Sequence, residues 1–333
     1  MTTARNISTR GALAALVVPI VVALSVALSS ESVAQASSPG SGCVGGFGWP
    51  VRPFERQHPI RGGFGDPRTV FEQPASDGTA LEGNGSFSFH QGLDISAPDR
   101  SPVYTVASGT ITRARGGRVT VDCGNGRSFQ YWHVDPAVRA GQQAVAGKTL
   151  LGYVQPKREH VHLTQLEDGR AVNPLAPNRL TPYQDSTTPR VLSISIRSNA
   201  DRLILEAEAI DTPSLPVPGR WYGFPITPAL LTWRIEDASG HVVVPTRLAR
   251  DARGTVPSND RFWDTYARGT HQNWPVFDGR KQRGMTGRYV FKLSKRPVDA
   301  RTLGTGKYVL VVTAGDTAGN RSSRARAFSL DGA

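Results

Sequence analysis

Hydrophobic residues recur at every second position in short runs separated by glycine and polar clusters. In the first half the runs are 103–106, 109–115, 119–123, 129–133, 149–154 and 160–166. A period of two sends alternate side chains to opposite faces, so each run predicts a half-buried strand. Gly116-Gly117 and Gly124-Asn125-Gly126 fall between consecutive runs as hairpin turns, because glycine and asparagine accept the positive φ that tight hairpins require. This predicts an antiparallel sheet and excludes a βαβ alternation. A second set of runs occupies 191–196, 203–210, 230–235, 241–244, 289–293, 308–313 and 325–330. Between the sets, the polar, proline-flanked stretch 181–189 predicts an interdomain linker.

One apolar run breaks the pattern. Residues 12–28 form a mostly apolar run that follows Arg5 and Arg10 and leads into Ala34-Gln35-Ala36. That layout predicts a secretory signal peptide over 1–36, cleaved after Ala36, since the run is short for a membrane span and contains Pro19. The remaining chain, with 39 Lys and Arg against 27 Asp and Glu over all 333 residues, stays basic after cleavage. A basic exported protein is attracted to an anionic envelope polymer and has no nucleic acid to meet. Export also suits Cys43 and Cys123, the two cysteines of the chain, as a disulfide closing a long loop and contributing on the order of 4 kcal/mol. Gly and Pro together, 35 and 24 residues, favour many short strands over long helices. No glycine-rich phosphate loop, paired Cys-x-x-Cys or Gly-x-Ser-x-Gly elbow is present.

The chemistry lies in the histidines. Four of the seven, His90, His133, His160 and His162, sit in strand-like runs of the first half. His90 and Asp94 are an even four apart, with Leu93 and Ile95 turned the other way, and Gly92 and Pro98 argue against a helix. His160 and His162 likewise share a face. Two imidazoles and a carboxylate form the ligand set of an open zinc site, with a position left for substrate chemistry. Only three ligands are needed, so one of His160 and His162, together with His133, is free for proton transfer or oxyanion stabilisation.

Five pieces in order, residues 63–68 (GFGDPR), His90-x-Gly92-Leu93-Asp94-Ile95, Tyr131-Trp132-His133-Val134, residues 141–152 (GQQAVAGKTLLG) and His160-x-His162-Leu163, resemble the M23 (lysostaphin/LytM-type) zinc metallopeptidases, which cleave peptides of bacterial peptidoglycan. The resemblance implies that His90, Asp94 and His162 bind Zn2+ and that His133 and His160 are the catalytic imidazoles. Arg68 stands where the family often carries an arginine near the cleft and is a candidate for substrate binding. Two departures bear on the cleft rim. Residues 155–159 (QPKRE) replace a small-residue loop, and 69–89 is an insertion whose default reading is a surface loop.

In the second half, residues 306–320 resemble the last hairpin of immunoglobulin-like bacterial modules, with Tyr308 as a candidate tyrosine corner. The aromatics of 259–279 suit either sugar stacking or anchoring of a long loop, and anchoring is the favoured reading. The expected architecture is mainly β. A signal peptide (1–36) and N-terminal tether (37–60) precede an antiparallel-sheet M23-like peptidase domain (61–178), a linker (179–189) and an immunoglobulin-like β-sandwich accessory domain (190–333). The expected function is a secreted, cell-wall-associated, monomeric zinc endopeptidase acting on peptidoglycan cross-links or stems. The alternative is a non-catalytic peptidoglycan-binding or hydrolase-regulating module on the same fold.

Overall fold

In the computed structural model, the first half is built on the hairpins that its glycines predict. The structure describes residues 45–72, 81, 83–199, 201–275 and 284–331. The signal segment 1–36 and Cys43 lie outside them, as do Phe277 and part of the 69–89 insertion. The strands of the first half are β1 (Ile60–Gly62), β2 (Pro67–Phe71), β3 (Gly85–Phe89), β4 (Leu93–Ser96), β5 (Pro102–Tyr104), β6 (Gly109–Arg115) and β7 (Arg118–Gly124). They continue with β8 (Arg127–Trp132), β9 (Val134–Pro136), β10 (Gln143–Ala144), β11 (Leu150–Val154), β12 (His160–Glu167) and β13 (Arg170–Val172). An antiparallel sheet runs in the order β1-β4-β12-β8-β7-β6-β10, with β13 on β12, and a smaller sheet runs β5-β11-β9. Gly116, Gly117, Gly124, Asn125 and Gly126 all have positive φ, between 53° and 78°, the turn conformation that joins β6 to β7 and β7 to β8.

One apolar core joins both sheets: Ile111, Val119, Val121, Phe129 and Tyr131 of the large sheet meet Val103, Leu151 and Val154 of the small one. Phe47, Trp49 and Val51 belong to the same core, and the Trp49 indole donates to the Pro182 carbonyl at 2.8 Å. From Phe47 onward the segment expected as a tether is therefore packed, because its apolar residues cover the open face of that core.

The second half has two sheets of its own. One is β14 (Arg190–Asn199), β15 (Arg202–Ile210), β18 (Val290–Lys292) and β19 (Val298–Asp299); the other is β16 (Leu230–Asp237), β17 (Val242–Asp251), β20 (Gly306–Gly315) and β21 (Arg321–Leu330). Their inner faces share a second core, with Leu203, Leu205, Trp233, Ile235, Leu310 and Val312 buried together. A two-sheet antiparallel sandwich of this kind is compatible with an immunoglobulin-like arrangement. The Tyr308 hydroxyl donates to the carbonyls of Leu303 and, at 3.1 Å, Gly304, a bond back to upstream backbone like that of a tyrosine corner.

The halves do not hang on a free linker. The described residues lie in one compact unit, and the linker itself is bonded to its surroundings: Gln184 N–H donates to Gln57 at 2.7 Å and Asn320 donates to the Asp185 carbonyl at 2.8 Å. A buried polar bolt joins the halves near β2. Asp66 accepts from both the backbone and the hydroxyl of Thr227 at 2.8 and 2.7 Å, while Arg250 donates to the Gly65 carbonyl at 3.1 Å and to the Tyr266 hydroxyl at 2.8 Å. The described part of the 69–89 insertion is the hairpin β2-β3. Its Phe87 and Phe89 pack on Phe262, with ring centroids 5.6 and 5.4 Å apart. This described hairpin is thus a docking arm on the second half, and the aromatics of 259–275 anchor it, as their burial demands.

Candidate active site

Asp94 on β4 pairs directly with His162 on β12, and His160 pairs with Ser96. Antiparallel pairing with a period of two therefore carries both β12 histidines toward one end of the sheet face on which Asp94 lies. His90 and His133 differ from expectation: each sits just outside a strand end, His90 before β4 and His133 after β8 with φ 64°. A bend at Gln91-Gly92 brings His90 back over Asp94, so the two converge by a turn and not by the pleat of one strand.

Three atoms meet. His90 Nε2 lies 3.1 Å from Asp94 Oδ1 and 2.8 Å from His162 Nδ1, and His162 Nδ1 lies 3.0 Å from Asp94 Oδ1. The other nitrogen of each ring is occupied. His90 Nδ1 donates to the Gly63 carbonyl at 2.7 Å, and His162 Nε2 is hydrogen-bonded to the Thr164 hydroxyl at 2.8 Å. The Gly63 carbonyl can only accept, so His90 turns the Nε2 lone pair inward, and His162 turns the Nδ1 lone pair inward in the tautomer whose Nε2 donates to Thr164. In that tautomer three acceptors face one another at distances that repel unless a cation lies among them, so the set fits a metal ion. Thr164 escaped the sequence reading, although its even spacing from His160 and His162 on β12 is a signal for it. Gly63 left no such signal.

The surrounding groups set the charge. Arg68 donates to Asp94 Oδ2 at 2.8 Å, which leaves Oδ1 for the centre. The predicted substrate-binding arginine is thus placed on the carboxylate itself. Burial tends to raise the Asp94 carboxyl, but His90, His160 and Arg68, with the hydrogen bond that His162 Nδ1 makes in its other tautomer, outweigh it and hold Asp94 well below the usual carboxylate range. Burial lowers His162 and His133 to about 4 each and pushes His160 well below its ordinary value. All three rings are therefore neutral at pH 7. His160 and His133 stand beside the centre with ring centroids 4.5 Å apart. His160 Nδ1 donates to the Arg158 carbonyl at 2.6 Å, so its Nε2, 3.5 Å from Asp94 Oδ1, carries a lone pair. The structure thus brings His90, Asp94, His133, His160, His162 and Arg68 together. Cys123 lies on β7, and its expected partner Cys43 is outside the described residues.

The site opens into a cleft of about 1300 Å³ with walls from both halves, the second contributing Trp221, Gln272, Asn273 and Tyr289. On the rim, Asp99 accepts the backbone N–H groups of Lys157, Arg158 and Glu159 at 2.5, 3.1 and 2.9 Å. This holds the charged 155–159 loop in a fixed turn, with Lys157 and Glu159 at positive φ.

Residues 88–174 match Peptidase family M23. That segment carries every histidine of the centre, and over it the resemblance read from the sequence is borne out: this part of the chain matches the M23 family and has an antiparallel β fold. No curated protein matches the chain. Among solved structures, the SpoIIQ–SpoIIIAH pore-forming complex contains a chain 22% identical, covering 39% of this chain and 89% of that one, with a TM-score of 0.30. A zinc-containing peptidase from Vibrio cholerae is 24% identical over 38% of this chain and 39% of its own, with a TM-score of 0.30. LytU is 22% identical over 37% and 86%, with a TM-score of 0.26. These likenesses are faint, and the family assignment rests on the 88–174 match.

Proposed function

We propose that the chain is a zinc-dependent endopeptidase, exported from the cytoplasm, that hydrolyses peptide bonds in the cross-links or stems of bacterial peptidoglycan. The observation that carries this reading is the convergence of His90 Nε2, His162 Nδ1 and Asp94 Oδ1, with the outer nitrogens committed to Gly63 and Thr164. Two imidazoles and one carboxylate are a ligand set for catalytic zinc. Zinc held there supplies Lewis acidity to the scissile carbonyl and to water.

The remaining chemistry belongs to the protein. His160, neutral and with its Nδ1 proton committed, accepts a proton at Nε2 from the attacking water and returns it to the leaving amine. His133, also neutral, offers a ring N–H to the developing oxyanion. Arg68 keeps Asp94 ionised and turned toward the centre. The basic balance of the chain, the signal segment and the expected disulfide Cys43–Cys123 agree with work at an anionic cell wall.

The test is incubation of the protein, without residues 1–36, with purified sacculi, with and without a chelator, and mass analysis of what is released. Peptide-bond cleavage that stops on chelation and returns with zinc is the expected result. Binding to sacculi without release of any cleaved peptide overturns the enzymatic reading in favour of a non-catalytic module.

A further inference from the structure

Arg61, the middle residue of β1, lines the cleft with its side chain almost wholly buried, 7% exposed. Its guanidinium lies 3.9 Å from the ring centre of Trp221, in a short turn of the second half. Nη2 is 3.4 Å from His160 Nε2, and Nε has no hydrogen-bond partner among the described residues. The carboxylates nearby are engaged by other arginines: Asp94 by Arg68 at 2.8 Å and Glu159 by Arg220 at 3.0 Å.

A guanidinium removed from water without a paired anion is costly by several kcal/mol. Stacking on an indole offsets only part of that. Burial lowers Arg61 to about 10, so it is still a cation at neutral pH. A charge kept in that state at the wall of an open cleft is a site awaiting an anion, and a guanidinium fork matches a carboxylate.

We infer that Arg61, backed by Trp221, binds a free carboxylate of the substrate peptide within one or two residues of the bond cleaved. The placement follows from reach: His160 Nε2, next to Arg61, is 3.5 Å from Asp94 Oδ1, and one extended residue spans about 3.3–3.6 Å. The inference rests on the peptidase reading for the identity of the cleft. It adds that anionic peptides are selected over neutral ones, and that the second half takes part by holding the arginine in place.

The test measures binding, so it stands apart from turnover. Muropeptides released from sacculi by a muramidase are used as they are, or with every carboxylate converted to its methylamide. Each is titrated by calorimetry into the zinc-loaded protein carrying His133→Ala, which keeps the probe intact. Native muropeptides are expected to bind at least about tenfold tighter than amidated ones. Arg61→Gln should bring the two within about twofold, and metal removal should leave the preference in place. Equal affinities, a preference that survives Arg61→Gln, or one that vanishes with the metal, each overturn the inference. If Arg61→Gln does not fold, Arg61→Lys decides. Keeping the charge but losing the fork, it should weaken native binding severalfold and leave amidated binding unchanged, and unaltered native binding overturns the inference. Failure of sacculus hydrolysis with the carboxylate preference intact would refute the enzymatic reading alone.

Discussion

Gly92 lies against the His162 imidazole: a Cβ at position 92 would stand 2.7 Å from His162 Nε2 and would also strike the Leu163 carbonyl oxygen. The glycine of the His-x-Gly-x-Asp segment is thus required by a ring on another strand. Gly92→Ala should push His162 off Thr164 and out of the metal centre. Displacing such supporting contacts reduces metal affinity about 10- to 100-fold. Elemental analysis of the purified variant checks this, with circular dichroism to confirm that the sheet has formed. Full zinc occupancy in Gly92→Ala would sink the argument.

Ligands and catalysts should separate by metal content. His90→Ala, Asp94→Ala and His162→Ala each remove one of the three converging atoms and should emerge without zinc. His133→Ala and His160→Ala should keep the metal and lose roughly 10²- to 10⁴-fold in turnover, the range for a lost proton-transfer group. Zinc loss in His160→Ala as complete as in Asp94→Ala would reverse its assignment.

Thr164→Val tests whether the outer nitrogen matters. Thr164 is buried, and its hydroxyl is the partner of His162 Nε2. Valine keeps the β-branched shape but offers Nε2 no hydrogen-bond partner, so the ring loses the contact that holds its orientation. Zinc affinity, read by competition with a chelator, should fall about tenfold or more. An unchanged affinity would show that packing alone orients the ring.

Much of the site could be read from spacing, because a strand's period of two makes the sharing of a face a matter of counting: His160 and His162 follow that rule, and so does Thr164. What spacing could not show was anything made by tertiary contact. Arg68 is placed near the cleft by resemblance, but nothing in its spacing points to Asp94 until β2 brings the two together. Trp221 has no sequence link to Arg61, 160 positions away, and the packed linker looks like any polar stretch until Trp49 and Asn320 are seen to bond it. The aromatics of 259–275 gave composition without direction; only the β2-β3 hairpin shows what they bind.

Truncation should fail more broadly than a tethered arrangement would allow. Gly65 N–H donates to the His90 carbonyl at 2.7 Å and His90 N–H donates to the Asp66 carbonyl at 2.8 Å. The same Gly65 and Asp66 are bolted to Arg250, Tyr266 and Thr227. A chain ending at Asn178 loses those partners and exposes Phe87 and Phe89. It should lose activity on small peptides as well as sacculi, and its zinc should become labile to mild chelation. Retention of full peptide-cleaving activity by the truncated chain would show that the bolt serves stability only.

The junction also carries a pH signature away from the metal centre. Oxygens of Asp185, Asp211 and Asp316 come within 4.8 Å of one another, and burial, with the charges of Asp185 and Asp316 adding to it, raises Asp211 to about 8. An unfolded aspartate titrates near 3.9, so between about pH 4 and 8 the folded chain holds a proton at Asp211 that the unfolded chain has released. Stability then falls as pH rises through this window. Asparagine keeps the shape and removes the ionisation. Asp211→Asn should therefore be more stable than the parent at pH 8 by more than about 1 kcal/mol and close to it at pH 4. Denaturant melts at the two pH values decide the matter; a gain from Asp211→Asn that is the same at both would mean that the carboxyl does not titrate in this window.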